Sequence, residues 1–120
     1  MTDELPERPA LDVEHLHRFT GGDIELEEEI FELFLTNGER YLQTIATAHN
    51  VDARRIAAHS LKGSARGIGA AQVEFAAEKL EDLAHAAEVE RSGPLKALQQ
   101  AFHQVREALA AYLLAHSEKS

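Results

Sequence analysis

His59 is followed three positions later by Lys62 and four positions later by Gly63. If residues 53–68 are helical, at about 100° per residue, Arg55, Lys62, Gly63 and Arg66 fall within roughly 60° of His59. The stripe of Ala57, Leu61, Ser64, Ala65 and Ile68 falls on the opposite side. That arrangement exposes an imidazole among bases. A neutral imidazole nitrogen is a good nucleophile near physiological pH, and an ammonium beside it offsets the negative charge of a phosphoryl group it has accepted. Lys62 has the spacing for that role. Gly63 costs a helix interior up to about 1 kcal/mol, which is reasonable where the missing side chain lets another protein's active site come close. An exposed histidine is usually just solvated, and the chain has seven; only His59 has these neighbours. Arg55 and Arg66 read either as an ordinary solvated face or as a docking surface for an acidic partner.

Two other patterns invite chemistry and lack its context. Gly63-Ser64-Ala65-Arg66-Gly67-Ile68-Gly69 is similar to the glycine-rich turn of short-chain dehydrogenases, but a dinucleotide site needs a buried apolar strand before the first glycine. Arg54-Arg55-Ile56-Ala57-Ala58-His59-Ser60 is no such strand. Glu14-x-x-His17 is half of a di-iron bundle motif, and one such pair cannot build the site.

The elements that must position His59 follow from capping residues and apolar spacing. Asp12 caps a short helix to about Phe19, ended by Thr20-Gly21-Gly22, and Asp23 caps the next. The second helix is expected from Ile24 to about His49, with Leu26, Ile30, Leu33, Phe34, Tyr41 and Ile45 inward and Gly38 weakening its middle. A second stripe of Ile24, Phe31, Leu35 and Leu42 is displaced by about 100°. Either Leu11, Leu16 and Phe19 cover it, or Ile24, Phe31 and Leu35 form a partly exposed patch on which a partner packs. After a break at Asn50 and Asp52, the third helix spans 53–68. The fourth is expected over 71–88, with Val73, Ala76, Leu80, Leu83, Ala84 and Ala87 inward. Ser92-Gly93-Pro94 then starts a fifth, with Leu95, Leu98, Phe102, Val105, Leu109 and Tyr112 spaced alternately three and four. No strand pattern competes. The expected fold is all-α, an antiparallel four-helix bundle with a short additional N-terminal helix.

At 120 residues the chain suits one domain over 11–116, after a mobile leader over 1–10 that carries Pro6 and Pro9. It has no cysteine and no run near the ~20 apolar residues of a membrane span. The acidic start, Met1-Thr2-Asp3-Glu4, is unlike a secretory signal, so a cytoplasmic protein is expected. A net charge of -9 argues against nucleic-acid binding. Charge is also uneven: Asp23 to Glu39 holds seven acids and no base, whereas Ala53 to Gly69 holds Arg54, Arg55, Lys62 and Arg66 and no acid.

The run Ala58-His59-Ser60-Leu61-Lys62-Gly63-Ser64, followed by Gly69-Ala70, resembles the signature of histidine-containing phosphotransfer (HPt) domains. Gly21-Gly22-Asp23 leading into Leu33-Phe34-Leu35, and Lys79-Leu80-Glu81, extend the resemblance over most of residues 11–115. It implies a four-helix bundle that carries phosphate on Nε2 of His59 within two-component phosphorelays, as a phosphocarrier and not an enzyme. It also implies an acidic or amide residue 22 positions on, here Glu81, bonded to the other imidazole nitrogen and fixing the tautomer. Glu81 reads alternatively as a surface acid paired with Lys79 or His85. The implied partners are response-regulator receiver domains and a sensor or hybrid histidine kinase. No cofactor is expected on this chain, magnesium being held in the partner's aspartate pocket, and a monomer away from membranes is expected. Two rival readings stay open: the phosphoryl-accepting domain of a larger histidine kinase, and a helical adaptor that binds receivers without carrying phosphate.

Overall fold

The computed structural model describes residues 9–117, and these form five helices with no strand among them. They are α1 (Val13–Thr20), α2 (Ile24–Thr47), α3 (Val51–Ile68), α4 (Ala71–Asp82) and α5 (Glu88–Ser117). Of the expected leader, residues 1–8 lie outside the described residues. Asp12, Asp23 and Asn50 cap α1, α2 and α3, accepting from the amides of His15, Leu26 and Ala53. Asn50 is thus the cap of α3, and Asp52 sits inside its first turn. Gly69 ends α3 with φ +79°, and a Cβ there would crowd Asp12, whose N–H donates to Gly69 O at 2.9 Å. This contact seats α1 on the turn between α3 and α4.

α2 packs on α3, α3 on α4, α4 on α5, and α5 returns to α2 in a body of 50 × 27 × 20 Å. The shared core holds Phe31 and Phe34 of α2, Leu61 and Ala65 of α3, Val73, Ala77 and Leu80 of α4, and Leu98, Phe102, Val105 and Leu109 of α5. Phe34 meets Phe102 with ring centroids 5.5 Å apart. Gly38 lies one turn further along α2, and a Cβ there would overlap the Phe102 ring.

α1 is pinned by a polar cluster. The Glu27 side chain is fully buried and accepts from Thr20 Oγ1 at 2.5 Å, from Tyr112 O–H at 2.5 Å and from His17 Nδ1 at 3.1 Å. Burial alone pushes its carboxyl up; the Thr20 and Tyr112 hydroxyls and His17 outweigh that and hold it below its ordinary value. Burial and the adjacent Glu27 push the Tyr112 phenol up.

Four expectations are corrected. α4 ends at Asp82, not near Glu88, and α5 begins at Glu88 with Pro94 inside it. The Arg54 guanidinium binds Ala84 O, which stabilises a turn over 83–87, while Glu90 accepts from Ala87 N–H at the start of α5. On α2 the inward stripe is also shifted. Leu26 and Leu33 are exposed, Leu33 by 62%. Phe31, expected as a docking residue, is buried edge-on to Tyr112, so no partner can reach it. Exposing such a side chain would forfeit about 1.5–3 kcal/mol. Ile24, Leu35 and Leu42 are half-buried against the core, and Phe19, expected to help cover them, is exposed.

Candidate functional site

α3 buries Ala57, Ala58, Leu61, Ala65 and Ile68 and turns His59 outward, leaving its side chain 67% exposed. α4 runs beside α3 and presents Glu81 from its last turn. Glu81 Oε2 lies 2.9 Å from His59 Nδ1, and Glu81 Oε1 lies 2.8 Å from Lys62 Nζ. Lys62 holds the Glu81 carboxyl below its ordinary value, helped by His59 and opposed by partial burial. In return the Glu81 carboxylate raises the Lys62 ammonium. An ionised carboxylate can only accept, so a neutral His59 ring carries its proton on Nδ1 and keeps the lone pair on Nε2. Gly63 is exposed beside the ring, with open space where a side chain would stand, and so is Gly67 one turn on.

The other bases differ from expectation. The sequence places Arg55 and Arg66 in a positive setting around His59, but each is ion-paired. Arg55 meets Asp52 at 2.8 Å, and Arg66 meets Glu74 at 2.7 Å. With Lys62 on Glu81, all three bases around His59 have an acid, so the face is exposed but not strongly positive. Arg55 finds its acid three residues back on α3 itself, and for Lys62 and Arg66 the cause is α4, whose acids lie against α3. Glu74, Glu78 and Glu81 recur at intervals of four and three, which puts them on one helix face, and Lys62 and Arg66 are four apart. That complementarity is present in the sequence but gains meaning only once the two helices are known to be neighbours.

Of the docking candidates, Arg55 and Arg66 are exposed, Ile24 and Leu35 are half-buried, and Phe31 is excluded. Ile56, one turn before His59, is 60% exposed. Ile30, Leu33, Phe34, Asn37, Ser64 and Ile68 line a shallow groove of about 190 Å³ between α2 and α3. Sequence reasoning missed Ile56 and placed Leu33 inside. Among the described residues, no group of three or more His, Cys, Asp or Glu side chains is arranged to hold a metal, and no helix is long and apolar enough to cross a membrane.

The family model for the Hpt domain matches residues 29–114. The chain is also similar to the crystal structure of histidine-containing phosphotransfer protein B (HptB) from Pseudomonas aeruginosa PAO1. That match has a TM-score of 0.79 at 22% identity, over 91% of this chain and 98% of that one, and it shows a shared fold. No curated protein matches the sequence. Because the family match takes in well over half of the sequence, including the helix that carries His59 and the helix that carries Glu81, the chain belongs to the Hpt family of histidine-containing phosphotransfer domains.

Proposed function

We propose that the protein is a phosphorelay intermediate: Nε2 of His59 accepts a phosphoryl group from, or returns it to, an aspartate of a response-regulator receiver domain. The observation that carries this reading is the exposed ring with Nδ1 tied to Glu81 at 2.9 Å. As the Nε2 lone pair forms the N–P bond, the P–O bond to the donor aspartate breaks and the aspartate leaves as a carboxylate. The ring then becomes cationic. Its Nδ1–H points at the Glu81 carboxylate, which stabilises the charge as it develops. Lys62 steadies Glu81 through its other oxygen and is the ammonium nearest in sequence to the phosphoryl site. Gly63 leaves clearance for the partner.

The chain acts as a phosphocarrier, and alignment of the in-line transfer belongs to the partner, whose aspartate pocket holds magnesium. On this reading the receiver docks over the α2–α3 groove, touching Leu33, Ile30, Ile56 and the side-chain-free track of Gly63 and Gly67. Residues 11–116 act as one domain, an antiparallel four-helix bundle with α1 added at one end. A monomeric, cytoplasmic protein fed by a sensor or hybrid histidine kinase fits this role.

Incubation with a phosphorylated receiver and magnesium, followed by intact mass, tests the proposal. The protein should gain one acid-labile phosphate and His59→Gln none. A His59→Gln variant that still takes phosphate removes His59 from the role, and binding without any transfer favours an adaptor.

A further inference from the structure

Arg54 is a buried base that the transfer step does not use. It lies five residues before His59 on α3, is 7% exposed, and turns its guanidinium onto main-chain carbonyls. Nε and Nη2 donate to Ala84 O at 3.1 and 2.5 Å, and Nη1 donates to Ala48 O at 2.9 Å. Ala48 is the C-cap of α2, and Ala84 follows Leu83, the C-cap of α4. Both carbonyls stand at the negative ends of helix dipoles, which compensates a charge that is otherwise costly to bury. The planar fork of donors lets one side chain serve both helix ends, whereas a lysine would offer a single point.

The turn that Arg54 grips directly follows the end of α4 that carries Glu81. Ala84 N–H donates back to Glu81 O at 3.3 Å, and Leu83 N–H donates to Lys79 O at 3.1 Å. Glu81 is the penultimate residue of α4, where a helix has run out of its own donors and frays most readily. We propose that Arg54 is a positioning residue for phosphotransfer: it clamps the last turn of α4 to α3 and thereby sets the contact between Glu81 and His59 that holds the proton on Nδ1. This rests on the phosphoacceptor reading of His59. Without the clamp, Glu81 drifts from the ring and both imidazole tautomers become populated.

The test compares wild type, Arg54→Met and Arg54→Lys by ¹⁵N NMR of the His59 ring at a pH where it is neutral, and by single-turnover transfer from a phosphorylated receiver. Wild type should show the Nδ1–H form, and Arg54→Met a mixture of tautomers. Transfer in Arg54→Met should slow by up to about a hundredfold, with the half-saturating receiver concentration unchanged. In a Glu81→Ala background the same replacement should add no further slowing. A folded Arg54→Met protein with wild-type tautomer and rate overturns the proposal, and so does equal slowing in both backgrounds. If Arg54→Met does not fold, Arg54→Lys is held to the same criteria, since it keeps the charge and can satisfy one carbonyl. Wild-type protein that takes no phosphate, while its tautomer still shifts on replacing Arg54, defeats the phosphoacceptor reading and leaves the clamp on Glu81 standing.

Discussion

Two glycines on neighbouring helices separate packing from clearance at the level of single residues. Gly38 faces the Phe102 ring with no room for a methyl group, whereas nothing stands where a Gly63 side chain would go. Alanine improves helix propensity by up to about 1 kcal/mol at either position, so the signs should diverge. Gly63→Ala should raise Tm in thermal unfolding. Gly38→Ala should lower it, by overpacking of about 1–3 kcal/mol. Gly63→Leu should keep the fold and slow transfer to a receiver, and unaffected kinetics would refute the clearance argument. Glu81→Ala removes a charge-assisted hydrogen bond of about 1.5–3 kcal/mol. Single-turnover kinetics should then show roughly tenfold or greater slowing. His59, Lys62 and Gly63 were legible from helical spacing alone, because an outward histidine on a helix with an opposite apolar stripe depends on nothing remote. Glu81 was legible only through family resemblance. Its contact joins two helices, and Lys79 and His85 offered it equally local partners.

Elements show where local reasoning fails. The caps at Asp12, Asp23 and Gly21 mark α1 and the start of α2, since capping is a local side-chain to backbone bond. The boundary between α4 and α5 was misplaced because residues 83–87 hold neither Gly nor Pro, and of the two guanidinium groups that bond carbonyls of their turn, Arg91 and Arg54, the buried one comes from far away in sequence. On α2, the two apolar stripes together cover well over half of the helix, more than one neighbour buries, and the edge left outside is the one that carries Leu33, while Phe31 packs on Tyr112 of α5. The Glu27 cluster joins α1, α2 and α5 and belongs to the same class of long-range contact. Glu27→Ala would remove two hydroxyl bonds to a charged acceptor, at about 1.5–3 kcal/mol each, while leaving Thr20 the Leu16 carbonyl and Tyr112 the His17 ring as partners. Because the folded carboxyl lies below its ordinary value of 4.5, its contribution is full above that pH and is lost as pH falls through the lowered value. Denaturant unfolding between pH 6 and 3 should show that loss of stability in wild type, and a shallower one in Glu27→Gln.

At the scale of the whole molecule, the net charge is -9, and around His59 the pairing of Arg55, Lys62 and Arg66 with Asp52, Glu81 and Glu74 leaves none of these three bases without an acid to offset it. A receiver that offers a pocket of aspartates meets a molecule of its own sign. On the proposed function, long-range attraction would then not hurry their encounter, and recognition would rest on short-range apolar contact. Raising ionic strength from about 50 to 500 mM, across which the Debye length shrinks severalfold, should leave the bimolecular association rate unchanged or increase it. Stopped-flow measurements showing a steep fall would mean that the bases leave their acids before contact. On the proposed function, a carrier built this way would meet its partners without electrostatic help, and a rise in cellular salt would not slow that encounter.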